Sequence, residues 1–201
     1  QGEARRCGCF AQAAAALVRQ RSQQGTPFDV VHLHDWPGAL VPLVLSRMED
    51  LIVPTVLTVH DLARQGRFAD GALDALGLPA DLAGEAGLAL DGELNVLKGG
   101  LLFADAAVLV SEAIRDELRV DPQGGALVRF LEERELETAA IGYGIDYAVH
   151  NPATDPCLAS RYDAEDPSRR GLSRTELLRH LELDLDLERP LVGLLVDAGR
   201  G

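Results

Sequence analysis

The sequence predicts an α/β fold, a parallel sheet with flanking helices. Three observations carry that reading. The β-branched pair Val30-Val31 opens a short run that ends in the polar cluster His32-Leu33-His34-Asp35-Trp36. An apolar stretch of helical character follows at 39–48, after the break at Pro37-Gly38. A second run, 55–59, opens after Pro54 and ends at His60-Asp61. A strand, a crossover and another such strand form a βαβ unit, and its strands run parallel. Loops that follow the strands of such a sheet gather at one edge, where ligands bind. Asp35 and His60 each directly follow a strand, so they are expected to face one cleft.

The other elements follow in order. Residues 4–21 are Ala-rich and predict a helix, with Phe10, Ala14, Leu17 and Val18 on one buried face. Residues 22–27 are the turn into the first strand. Pro42 falls in the first turn of the crossover helix, where a missing N–H is tolerated. Residues 61–92 contain Gly66, Gly71, Gly77, Pro79, Gly84, Gly87 and Gly92, and are expected to form a long irregular loop. A loop of that length is expected to be a functional flap. Residues 94–103 predict a helix with Lys98 at its middle. Gly99-Gly100 weakens it by about 1 kcal/mol per Gly relative to Ala, so close packing is the expected reason for both.

A third strand is expected at 106–110, followed by Ser111 as an N-cap and a helix over 112–119. Its acidic start and its basic Arg119 suit the helix dipole. A further amphipathic helix is expected at 126–134 and a fourth strand at 138–141. The turn 142–146 carries Gly142 and Gly144 and is expected to need positive φ. An extended connection over 150–167 leads to a helix at 168–183, with Ser173 and Glu176 spaced as a capping box. A last strand is expected at 190–196. The expected boundary falls near Asn151, giving a Rossmann-like domain over 1–150 and a linker with the start of a second such domain over 151–201. Met48 is the only methionine, and the final run reaches Gly199-Arg200-Gly201 with no helix after it. Both features lead to the expectation of an internal fragment of a longer protein.

Composition narrows the function classes. The net charge is −13, and the 19 basic residues are spread thinly. Nucleic acid and anionic membranes need clustered Lys and Arg, so neither is an expected partner. No apolar run approaches the roughly 20 residues of a membrane span. The three cysteines form no paired framework, so a reducing, cytoplasmic setting is expected. Cys7 and Cys9 lack further ligands at metal spacing and read as two small semi-buried thiols.

The chemistry-bearing residues cluster after the strands. His32 and His34 share one face of a strand, with Asp35 next, a spacing that resembles the start of metal-hydrolase sites. Only His60 and Asp61 could complete such a site. The competing reading makes His32 a packed strand residue and leaves His34 and Asp35 in the cleft. Asp35 and His60 could hydrogen-bond sugar hydroxyls or polarise a leaving group; a satisfied buried His60 is the alternative. Trp36, the only tryptophan, reads as a core ring or as a ring stacked on a sugar face.

Several longer motifs resemble bacterial glycogen synthase and plant starch synthase, retaining glucosyltransferases of the two-Rossmann GT-B fold. They are Asp29-Val-Val-His-Leu-His-Asp-Trp36, Pro54-Thr-Val-Leu-Thr-Val-His-Asp-Leu-Ala-Arg-Gln-Gly66, Gly92-Glu-Leu-Asn-Val-Leu-Lys-Gly-Gly-Leu-Leu-Phe-Ala-Asp105, Gly144-Ile-Asp-Tyr147, Asn151-Pro-Ala-Thr-Asp-Pro156 and Ser160-Arg-Tyr162. The resemblance implies the later part of an N-terminal Rossmann-like domain and the start of the C-terminal one. It also implies transfer of glucose from ADP-glucose, a nucleotide-sugar substrate, to an α-1,4-glucan acceptor, without metal or other cofactor. On that resemblance Asp35 and His60 are the catalytic candidates at the glucose site. His34, Trp36, Gln65 and Arg200 are the substrate-binding candidates.

Departures from the family pattern open a second reading. Asp61 stands where the family has Asn, Arg64 where it has Tyr, and Tyr143 where it has Asn. The family's Ser-Pro-Thr-Tyr turn reads Ser111-Glu-Ala-Ile114, and its Trp-Ser-Phe-Phe stretch is replaced by Ala80-Asp-Leu-Ala83. Asp197 falls where the family places an Arg for the nucleotide phosphates, and an anion there repels a diphosphate. Arg200 is the candidate replacement. The second reading is a divergent, non-catalytic relative that binds glucan or a protein partner.

Overall fold

In the computed structural model the chain forms two compact units, Gln1–Tyr143 and Gly144–Gly201. The structure describes residues 2–113, 125–134, 136–186 and 188–194. The first unit is built on a four-stranded parallel sheet. Its strands are β1 (Val31–His34), β2 (Thr55–Val59), β6 (Ala106–Leu109) and β7 (Glu137–Ala140), in the order β1-β2-β6-β7. Register pairs Leu33 with Leu57, and Leu57 with Ala107. These three side chains, with Val59 and Leu109, point into the core.

The α1 helix (Gly2–Gln23), α3 (Leu40–Ser46) and α5 (Val96–Phe103) pack many of their buried residues into the same core. The buried face of α1 is Ala4, Cys7, Gly8, Ala11, Ala15 and Val18. Phe10 and Leu17, expected inside, are about half exposed, at 53% and 52%. Small residues win this face because the helix approaches its neighbour closely. A Cβ on Gly8 would lie 2.2 Å from the Leu76 carbonyl oxygen in α4 (Leu73–Leu76). Gly100 has the same logic, since a Cβ there would lie 2.4 Å from the Ala39 Cβ. The glycine pair in α5 therefore permits close helix packing, as expected.

The expected flap is a folded layer. Residues 61–92 hold α4 and two 3-10 turns, Asp70–Ala72 and Ala80–Ala83. The short strands β3 (Arg67–Phe68), β4 (Ala89–Leu90) and β5 (Glu93–Asn95) make an antiparallel sheet in the order β3-β5-β4. Leu62, Leu73, Leu76, Leu78, Leu82 and Leu88 are all buried. Leucines at that density anchor the segment against the main core, which a free flap could not tolerate.

Two further expectations change. Gly142 and Gly144 do not adopt positive φ; Gly25, Gly66, Gly77 and Gly92 do. Ser173 does not cap a helix either. The second unit's helix, Arg170–His180, lies after α6 (Gly125–Glu133) and begins three residues ahead of Ser173, with Arg169 at its N-cap. The Ser173 hydroxyl instead donates to the Ser160 carbonyl at 3.0 Å and accepts from its N–H at 3.3 Å, pinning the preceding connection. The Ser111 hydroxyl accepts from the Ala113 N–H at 3.2 Å, but most of the helix expected at 112–119 lies outside the described residues. Of the expected last strand, 190–194 pair with nothing among the described residues, and 195–196 lie outside them. Val192 and Leu194 are exposed.

Candidate functional site

The site lies where β1 and β2 end. The pair is parallel, with His34 opposite Thr58, so both strands deliver their following residues to the same edge. Asp35 begins the four-residue helical turn α2 (Asp35–Gly38) immediately after β1. Its backbone is left-handed, with φ +53°. Asp and Asn accept that region more readily than most residues, at a cost in conformational energy. The bend turns the carboxylate toward the next strand. There Oδ1 accepts from the His60 N–H at 2.7 Å and from the Asp61 N–H at 3.3 Å. Sequence reasoning expected Asp35 and His60 to face one cleft; the structure joins the Asp35 carboxylate to the backbone N–H of His60.

Around this contact runs a ladder of rings. His34 Nδ1 lies 2.9 Å from His60 Nε2, with ring centroids 5.2 Å apart. His60 Nδ1 lies 2.5 Å from the Tyr143 hydroxyl, and those rings stack at 5.7 Å with only 9° between planes. His32 stands 4.4 Å from His34 and shares a 2.7 Å hydrogen bond with the Thr58 hydroxyl. The pKa of His34 is lowered. Loss of water around the ring comes first; the neighbouring His32 and His60 add to it, and Asp35 opposes them. The neutral imidazole is therefore favoured at His34.

His32 corrects one expectation. It is exposed beside His34, because alternation along β1 sends Leu33 into the core and both histidines to the opposite face. Sequence reasoning also missed Tyr143, which reaches His60 from beyond β7. The only sequence signal was its departure from the family's Asn.

The remaining candidates are placed differently. The Trp36 ring is half-buried, edge-on to Phe68 at 6.0 Å, and closes over Gly66, where a Cβ would meet it at 2.4 Å. Gln65, expected to bind substrate, is 2% exposed and serves the scaffold. Its Nε2 donates to the Leu62 carbonyl at 2.8 Å, and its Oε1 accepts from Asn95 Nδ2 at 2.6 Å and from Arg67. A buried amide so engaged holds the loop after His60 against the start of α5. Arg200 and Asp197 lie outside the described residues. Among the described residues no group of three or more His, Cys, Asp or Glu could hold a metal ion.

A parallel sheet with flanking helices defines the class, a Rossmann-like α/β domain, with Asp35 and His60 directly after its neighbouring strands. The chain belongs to the family described as the starch synthase catalytic domain, whose family model matches residues 1–133. It is 35% identical to a glycogen synthase of Pseudothermotoga lettingae over 191 residues, covering 92% of this chain and 39% of that protein. A glycogen synthase of Anaeromyxobacter is 39% identical over 197 residues, with 95% and 41% covered. A solved catalytic domain of starch synthase IV from Arabidopsis thaliana, bound to ADP and acarbose, superposes with a TM-score of 0.71 at 27% identity. That match covers 92% of this chain and 39% of the other. The chain thus spans about two-fifths of the length of the relatives it matches.

Proposed function

We propose that this chain is the part of a glucosyltransferase that holds the donor glucose, in a protein that moves glucose from ADP-glucose to the end of an α-1,4-glucan. In that reaction the bond from glucose C1 to the diphosphate oxygen breaks, a bond from C1 to an acceptor hydroxyl oxygen forms, and ADP departs with the hydroxyl proton passing to its terminal phosphate oxygen. The Asp35 carboxylate accepts hydrogen bonds from sugar hydroxyls, and the His60 imidazole lies beside it at the same edge. One observation carries this reading: the 2.7 Å contact that joins Asp35 to His60 at the ends of neighbouring parallel strands. Glycogen synthase relatives and the ADP-bound structural neighbour support the donor and acceptor. The free thiols Cys7, Cys9 and Cys157 fit a cytoplasmic setting. Among the described residues no helix is long and apolar enough to cross a membrane.

A second reading, a non-catalytic glucan-binding or protein-binding relative, is favoured by Asp197 at the family's phosphate-binding position. One experiment separates the two. The longest natural chain carrying these residues is mixed with radiolabelled ADP-glucose and glycogen. Label in the glucan that disappears in the Asp35→Asn variant supports transfer. Glycogen binding with no label incorporated at any enzyme concentration rejects it.

A further inference from the structure

Both ring nitrogens of His60 are engaged, one by Tyr143 and one by His34. The protons along this chain are therefore coupled, in one of two orders. A tyrosine hydroxyl can donate one hydrogen bond and accept another. A neutral imidazole has one donor nitrogen and one acceptor nitrogen. If Tyr143 donates to His60 Nδ1, the His60 proton sits on Nε2 and is donated to His34 Nδ1. His34 then carries its own proton on Nε2, at the outer end of the chain. The reverse order would leave His34 Nε2 as an acceptor.

We infer that Tyr143 is a positioning residue that sets the tautomer of His60 and, through it, makes His34 Nε2 a fixed N–H donor toward an oxygen of the bound donor substrate. The assignment rests on the glucosyltransferase reading above. Three features support it. The Tyr143 ring lies nearly parallel to His60, so it restrains the ring plane as well as one nitrogen. His34 is exposed, and among the described residues no group bonds its Nε2, which leaves that nitrogen to a ligand. The lowered pKa of His34 keeps it neutral, as an acceptor at Nδ1 must be. His32 completes the surroundings; its nitrogen is held by Thr58 and does not compete for His60.

The test uses the longest natural chain with ¹⁵N-labelled histidine. Long-range ¹H–¹⁵N correlation reads the tautomer of each ring, and steady-state kinetics read ADP-glucose turnover in parallel. The expected result is an Nε2–H form at both His60 and His34. In Tyr143→Phe, which keeps the ring and removes only the hydroxyl, the His60 Nδ1 resonance shifts toward that of an unbonded nitrogen. His34 then becomes a tautomer mixture. The KM for ADP-glucose rises about five- to tenfold with a smaller change in kcat, the size of one lost hydrogen bond. Nδ1–H at His60 in the parent chain, or unchanged histidine spectra in Tyr143→Phe, overturns the assignment. Should the spectra change as expected in a chain that shows no glucose transfer, the relay stands and the glucosyltransferase reading falls.

Discussion

The Asp35 carboxylate grips the His60 backbone N–H at 2.7 Å from a residue whose own φ is +53°. Strain of this kind costs conformational energy and persists where the surrounding contacts hold it. The two contributions can be separated by substitution. Asp35→Asn keeps an acceptor oxygen and a side chain that tolerates the left-handed region, so stability should fall by only about 1 kcal/mol. Asp35→Ala loses both accepted hydrogen bonds and strands an alanine at positive φ, for about 2–4 kcal/mol in total. Urea unfolding of the two variants should rank them in that order. If the sugar contact is as proposed, both variants should lose glucose transfer regardless of their difference in stability.

The two glycines of α5 make a matched pair. A Cβ on Gly100 would lie 2.4 Å from both the Cβ and the carbonyl oxygen of Ala39. One of those atoms is backbone, so the helices must separate. Gly100→Ala is expected to cost about 1–3 kcal/mol through overpacking. A Cβ on Gly99 would meet the Leu88 side chain at 3.2 Å and that of Leu43 at 3.6 Å, and side chains can shift. Gly99→Ala also gains up to about 1 kcal/mol of helix propensity, so it should be close to neutral. Equal denaturation midpoints for the two variants would contradict this packing.

Much of the scaffold was legible because its signals are local. The run 55–59 and the polar residues that follow each strand place β1, β2 and the shared edge after them without any long-range information. The errors have a common cause. Counting large apolar residues put Phe10 and Leu17 inside, whereas the backbone approach at Gly8 favours small side chains over most of that face, with Val18 the one larger residue buried there. Counting glycines made 61–92 a flap, although its spaced leucines bury it. The left-handed turn at Asp35 depends on pairing with a strand 25 residues away. The Tyr143 contact joins residues 83 apart, and no periodicity records such a meeting.

Acid should weaken the first unit through His34. Its folded pKa lies below the ordinary 6.5, so the folded state prefers the neutral ring. Between the folded value and 6.5 the unfolded chain binds more protons, and stability then rises with pH. The His34 contribution is therefore complete above about pH 6.5. It is lost as pH falls from there to the folded value, and is constant below that. Chemical denaturation at a series of pH values between 5 and 8 should show this slope in the parent chain. His34→Gln should flatten it. A slope unchanged by His34→Gln would assign it to other groups.

Lys98 is the most deeply placed cation among the described residues, 3% exposed on α5. Its ammonium donates to the carbonyls of Glu85 and Gly87, the latter at 2.7 Å, and sits 5.2 Å above the Phe130 ring of α6. Burial lowers its pKa, and the Glu85 charge opposes the shift. The amine thus ties three pieces of chain, the 84–92 turn, α5 and α6, through donors that no apolar residue supplies. Lys98→Met fills the same volume but leaves two carbonyls without their partner, at about 1–3 kcal/mol for the uncompensated groups. The loss should be local first. Hydrogen exchange at the amides of Gly87 and Leu88, whose N–H groups bond Gly84 and Leu82 across the same turn, should quicken more than exchange in β2. Equal acceleration in both places would mean that Lys98 supports the whole core instead of pinning this turn.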